Sequence, residues 1–140
     1  MIHGDCHTGN LELQNDEVLL IDMDTMSVGH PILELSPMYN SFVGFSEYDN
    51  KATEKFHGFD RKTGLTFWRK CLAAYLDTED PERLRQVEEK ARVISYTRLI
   101  RHSIRRRGLE TEAGRAEIEL GKRELLELLE RTDSLVFTCG

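Results

Sequence analysis

From Pro31 to Arg131, apolar residues recur every three or four positions, broken only by signals that start or stop helices. That periodicity confines any sheet to the first thirty residues and predicts a mainly α chain. Pro31 suits the first turn of a helix whose face is Ile32, Leu35, Met38, Tyr39 and Phe42. Pro37 falls inside this pattern and predicts a kink or a restart, and Gly44 predicts a stop. Ser46 is read as the cap of a second helix running to about His57 and ended by Gly58. Asp60 caps a third, with Leu65, Trp68, Leu72 and Tyr75 on one face. Pro81 opens a long helix to about Arg107, ended by Gly108, with a stripe of Leu84, Val87, Ala91, Ile94, Thr97, Ile100 and Ile104. A last helix covers about Glu112 to Arg131, with Ile118, Leu125, Leu128 and Leu129 inward. Ser134 to Thr138 reads as a short extended piece.

The head of the chain has a different period. Leu11 to Gln14 and Glu17 to Ile21 are short apolar-rich runs, and Asn15-Asp16 between them suits a tight turn. The expected result is a small β-hairpin. It places Asn10 just before the first strand and Asp22 at the end of the second, so antiparallel pairing brings the two to one edge.

Size and charge set the broad class. The 140 residues fit one domain with a real core, and 39% apolar with 31% charged residues is a globular composition. A net charge of −6 argues against a nucleic-acid binder. No apolar run is long enough to span a bilayer, and no signal-peptide pattern opens the chain. Cys6, Cys71 and Cys139 are odd in number and far apart, which suggests reduced thiols and a cytoplasmic protein. The basic cluster Arg98, Arg101, His102, Arg105, Arg106 and Arg107 ends a helix that acids begin. It complements the helix dipole, and no aromatic residues interleave it as a single-strand platform would need.

Phosphoryl transfer to a hydroxyl needs a carboxylate to take the proton, and hard oxygen ligands for magnesium on separate short segments. Protein kinases arrange these as H-R-D-x-x-x-x-N followed by D-F-G. Here His3-Gly4-Asp5 is followed by four residues and Asn10, and Ile21-Asp22-Met23-Asp24 follows the hairpin. With the later Gly29-x-Pro31, this pattern resembles the aminoglycoside phosphotransferase and choline kinase group, small-molecule kinases of protein-kinase-like (α+β) fold. Within it the chain is most similar to a bacterial branch of phosphotransferases of undefined substrate. The motifs span about residues 2 to 36.

The resemblance implies that Asp5 is the catalytic base, that Asn10 and Asp22 are magnesium ligands, and that ATP and Mg2+ are used. It implies an orienting role for His3. Asp24 matches the family's second acidic position, in the metal shell or, as preferred here, capping the next loop. Glu34 stands where the family usually has Asp, one methylene shorter, which leaves its bond back to the loop open. No G-x-G-x-x-G occurs in the sequence, and Gly121-Lys122-Arg123 is no phosphate loop. In the family the nucleotide-binding lobe precedes the catalytic loop. The expectation is therefore a C-terminal lobe, residues 1–140, that lacks its nucleotide lobe and is inactive alone. The acceptor would be a small-molecule hydroxyl of aminoglycoside, choline or sugar type. Two other readings remain open. One is a metal-dependent hydrolase using His3, Asp5, His7 and Asp22, with Cys6 and Asp24 as further ligands. The other is a non-catalytic helical module that binds a partner.

Overall fold

The computed structural model describes residues 1–138, so Cys139 lies outside the described residues. The chain forms two compact units, Met1–Trp68 and Arg69–Gly140. The first holds a two-stranded antiparallel hairpin, β1 (Leu11–Gln14) and β2 (Glu17–Leu20), in the register Leu11↔Leu20 to Gln14↔Glu17. Asn15 and Asp16 both take positive φ, 51° and 64°, the geometry of a tight two-residue turn that follows the strand twist. The rest of the described chain is mainly helical, as the periodicity requires.

In the first unit the helices are α1 (Ile32–Tyr39), α2 (Phe45–Tyr48), α3 (Ala52–His57) and the start of α4 (Arg61–Leu76). Two expectations fail here. Pro37 does not restart the helix, which is continuous from Ile32 to Tyr39. It sits in the second turn, where its missing N–H costs only the bond to Leu33's carbonyl, and Leu33 lies on the exposed side. Gly44 is not a stop and Ser46 is not a cap. The helix runs on through a π turn, Asn40–Gly44, into α2, and ends only at Asp49, whose φ of −128° is extended. Ser46 is buried, and its hydroxyl meets that of Thr53. The α3 end was legible, since Gly58 adopts φ +79° after His57. So was the Asp60 cap, whose Oδ1 accepts from Thr63 N at 2.8 Å. The core of this unit is Ile32, Leu35, Tyr39, Phe42, Val43 and Trp68, with Tyr39 edge-on to Trp68 at 5.4 Å. A Cβ on Gly64 would lie 2.5 Å from Phe42's carbonyl oxygen, so the two backbones approach as only glycine permits.

In the second unit α5 (Pro81–Arg105) and α6 (Glu112–Leu129) form an antiparallel pair joined by a 3₁₀ turn, Gly108–Glu110. Arg92 meets Glu124 at 3.5 Å and Arg131 meets Glu89 at 3.0 Å, tying the far ends together. Asp80 caps α5 by accepting from Glu82 N. The inward stripes are rotated from the expected ones. Tyr96, Leu99 and Ser103 are buried, while Thr97 and Ile104 are exposed. On α6 Gly114, Ile118, Gly121 and Leu128 are buried and Leu129 is exposed, and on α4 Leu76 replaces Tyr75. Beside the turn the buried row is small, with the Ser103 hydroxyl 3.5 Å from Gly114's carbonyl oxygen. Buried serines remain compatible with it because each hydroxyl finds an oxygen: Ser95 donates to Ala91's carbonyl at 2.8 Å and Ser103 to Glu117 at 3.1 Å. The helix end at Arg98, Arg101, Arg105 and Arg106 is exposed, as expected for a solvated terminus. The tail forms no strand among the described residues. It is held by Lys90, which donates to the carbonyls of Ser134 and Val136. Among the described residues, no helix is long and apolar enough to cross a membrane.

Candidate active site

The loop from His3 to Asn10 is fixed by its own polar groups. Ile2 bridges Ser27 through two backbone bonds, at 2.9 and 3.0 Å. Gly4 then turns the chain with φ +86°, with Thr25's carbonyl 3.3 Å from where a Cβ would be. Thr25's hydroxyl donates to His3's carbonyl at 2.6 Å. His3 is buried, and both ring nitrogens are used. A carbonyl only accepts, so Nε2–H donates to Ile21 O at 3.0 Å, and the bare Nδ1 accepts from Asp5 N at 3.3 Å. One imidazole thus ties the loop to the far end of the hairpin.

Glu34 answers the question that the sequence left open. Its extra methylene does not prevent a bond back to the loop: Oε2 accepts from His3 N at 2.5 Å and Gly4 N at 2.8 Å. A carboxylate clamping two backbone donors is a charge-assisted pair.

Asn10 is buried at the end of a 3₁₀ turn, Thr8–Asn10, and its Nδ2 donates to Asp5's carbonyl at 2.9 Å. Its Oδ1 is the atom left to serve a ligand. Across the ladder, Ile21 N donates to Asn10 O at 2.9 Å. Asp22 is the next residue, in the left-handed region at φ 61°, ψ 64°, with its side chain exposed. Asp tolerates that conformation better than most residues. Asp5, Asn10 and Asp22 therefore share one hydrogen-bonded backbone frame. Asp24 is exposed in the following 3₁₀ turn, Met23–Thr25. Asp5's carboxylate is exposed too, with His7 Nε2 3.6 Å away. His7 Nδ1 accepts from Gly9 N at 3.0 Å, which leaves the proton on the nitrogen facing Asp5.

The metal-hydrolase reading loses support here. His3 has no free ring nitrogen, and among the described residues no group of three or more His, Cys, Asp or Glu is placed to hold a metal. An Asn–Asp pair of oxygen donors is a different chemistry, suited to a hard cation that takes its remaining ligands from phosphates and water.

Sequence reasoning missed a second group at this site. His57 stacks on Phe42 and Phe59, with ring centroids at 4.7 and 5.1 Å and planes within 11° and 7° of parallel. It contacts Thr8 and Ser41 by hydrogen bonds. No spacing rule marks it, because the contacts join segments 49 and 16 positions apart.

Two surface features complete the picture. The first fifty residues contain nine Asp or Glu and no lysine or arginine. The hairpin face that carries Leu13 and Val18 is open, with these at 72% and 68% exposure, and Val28 in the next loop reaches 90%. Met23 and Met26 are exposed beside them in sequence.

Residues 1–62 match the family model described as the phosphotransferase enzyme family, APH, which bears out the resemblance carried by the two motifs. No curated protein and no solved structure matches the chain.

Proposed function

From the match of residues 1–62 to the phosphotransferase enzyme family, we infer that this chain is the catalytic lobe of a small-molecule kinase that phosphorylates a hydroxyl. The observation that carries the reading is the bond from Asn10 Nδ2 to Asp5's carbonyl, joined to the Asn10–Ile21 ladder bond. These bonds tie Asp5, Asn10 and Ile21, the neighbour of Asp22, together, which supports reading the three side chains as a base and two oxygen donors of one site. Asp5's exposed carboxylate takes the acceptor hydroxyl's proton and aims its oxygen. Asn10 Oδ1 and the Asp22 carboxylate would hold magnesium. The ion supplies neutralisation of the phosphate oxygens when it is bound. His3 and Glu34 keep the loop in place and touch neither substrate.

The charge pattern supports a division of labour. With no lysine or arginine in the first fifty residues, the loop and hairpin that carry Asp5, Asn10 and Asp22 hold no cationic side chain to pair with nucleotide phosphates. ATP binding would therefore depend on a nucleotide-binding lobe outside this chain. The open apolar hairpin face suits the seat of such a lobe. The same acidity favours an acceptor that carries amines, of aminoglycoside or choline type, over an anionic one. The test is to supply a nucleotide-binding lobe from a small-molecule kinase, in trans or fused before Met1. ATP turnover is then followed over a panel of amino-alcohols, sugars and aminoglycosides. Turnover that needs both parts and an acceptor is the expected result. Binding of the lobe with no turnover on any acceptor would favour a non-catalytic partner-binding module.

A further inference from the structure

We propose that His57 is a positioning residue for the Asn10 carboxamide, acting through the Thr8 hydroxyl, although it lies on α3 and reaches neither Asn10 nor Asp5. This inference rests on the reading of Asn10 as a cation ligand, and the experiment below separates the two.

The argument begins with the tautomer. His57 Nε2 lies 2.9 Å from Ser41's carbonyl oxygen and 3.0 Å from its hydroxyl; the carbonyl can only accept, and with the proton on Nε2 both oxygens are served as acceptors. Nδ1 is then bare in the neutral ring and accepts the Thr8 hydroxyl proton, with Nδ1 and Oγ1 2.5 Å apart. The ring has no freedom to turn away. It stacks against both Phe42 and Phe59, and Phe56 stands edge-on at 4.7 Å. Burial also lowers its pKa, against the Ser41 bond, so the neutral ring that the acceptor role needs persists at neutral pH. A rigid acceptor on α3 therefore holds Thr8, the first residue of the 3₁₀ turn that ends in Asn10.

The turn is held by further contacts on either side. His7, just before it, takes Gly9 N on Nδ1 and stands edge-on to Phe56 at 5.5 Å. Asn10 is held by its bonds to Asp5 and Ile21. With the turn pinned at both ends, the Asn10 amide is presented in one orientation: Nδ2 goes to Asp5's carbonyl and Oδ1 is left to the cation. Without Thr8's anchor, the turn can rotate its first residue, and Asn10 loses that fixed direction.

The experiment uses the chain itself, with Mn2+ as the probe. Nitrogen-15 spectra of the histidine rings read the His57 tautomer. The Asn10 carboxamide protons read its position, by shift and exchange rate. Mn2+ titration reads affinity, by broadening of signals near Asn10 and Asp22. Thr8→Val removes the hydroxyl and keeps the side chain's shape, Thr8→Ser restores it, and His57→Phe keeps the aromatic stack without its nitrogens. Expected are an Nε2–H tautomer at pH 7, and faster Asn10 carboxamide exchange in Thr8→Val and His57→Phe. Mn2+ affinity should fall about 10- to 100-fold in both, the usual effect of losing a group that orients a ligand, with recovery in Thr8→Ser. Should His57→Phe fail to fold, the two Thr8 variants decide. An unmoved Asn10 carboxamide in Thr8→Val, or a ring protonated on Nδ1 at pH 7, overturns the positioning role. If the unaltered chain shows no broadening by Mn2+ while the carboxamide still responds to Thr8→Val, the cation reading falls and the positioning of the amide stands.

Discussion

Removing the Glu34 carboxylate tests how the catalytic loop is held. In the structure one oxygen, Oε2, accepts from both His3 N and Gly4 N. Glu34→Ala leaves two partly buried backbone donors without their partner. Each unsatisfied donor costs about 1–3 kcal/mol, and water entering the vacated space recovers part of that, so a loss of about 2–4 kcal/mol is expected. Glu34→Gln keeps the size and an acceptor oxygen but not the charge. Charged acceptors are worth about 1 kcal/mol more per bond than neutral ones, so roughly 2 kcal/mol is expected for the pair. The assay is amide hydrogen exchange at His3 and Gly4, with urea unfolding alongside. At about 1.4 kcal/mol per tenfold, Glu34→Ala should speed exchange there by roughly 30- to 1,000-fold. Exchange at Val87 and Ala91, in the other unit, should hardly change. If Glu34→Ala leaves His3 and Gly4 as protected as before, Glu34 is not the clamp.

Three further outcomes follow from the same geometry. Gly114→Ala should destabilise the α5–α6 pair by about 1–3 kcal/mol, because the new Cβ would press on Gly108's Cα and carbonyl, which are backbone and cannot yield. A thermal melt no lower than that of the unaltered chain would refute the close crossing. Stability should be flat above pH 6.5 and fall as the pH drops below it. Burial lowers the pKa of His57 from 6.5, and partial desolvation with Arg106 and Arg105 nearby lowers that of the surface residue His102, so the unfolded chain takes up their protons first, down to the folded values. Urea unfolding at pH 7.5 and pH 5.5 checks the sign, and a gain in stability at pH 5.5 would refute it. Leu13→Lys with Val18→Glu should leave the hairpin intact, since both side chains are exposed, yet weaken binding of a supplied nucleotide lobe. Unchanged binding would place the docking surface elsewhere.

Short-range chemistry was legible in the sequence. Asn15-Asp16 specified the hairpin, Asp60 and Asp80-Pro81 specified helix starts, and Gly58 specified an end. The His3-Gly4-Asp5 to Asn10 spacing located a loop whose bonds the structure supplies. Roles set by long-range packing were not legible. Gly44 is a helical residue at φ −59° and buried, so its glycine answers to packing and not to a turn. Ser46 read as a cap, and nothing marked Ser95 and Ser103 as buried, because a sequence does not show which oxygen will receive each hydroxyl. Tyr75 and Leu76 differ by one position, and only the packed helix decides which is buried. His57 stood out by no motif, since its stacking on Phe42 and Phe59 exists only once α3 folds back beside the π turn. Glu34 was readable as a departure from pattern, but its reach had to be seen.

The most direct test of the central claim compares Asp5→Asn with Asp22→Asn in this chain completed by a nucleotide-binding lobe, measuring magnesium–ATP binding and turnover on each. In the proposed mechanism Asp5 faces the acceptor, so Asp5→Asn should keep nucleotide and metal bound while turnover falls by about 10²–10⁴-fold, the range for loss of a general base. Asp22→Asn removes a charged oxygen donor, so nucleotide affinity and turnover should fall together. Loss of metal and nucleotide in Asp5→Asn with both retained in Asp22→Asn would reverse the two roles, and undiminished transfer in both variants would contradict the kinase reading of this site.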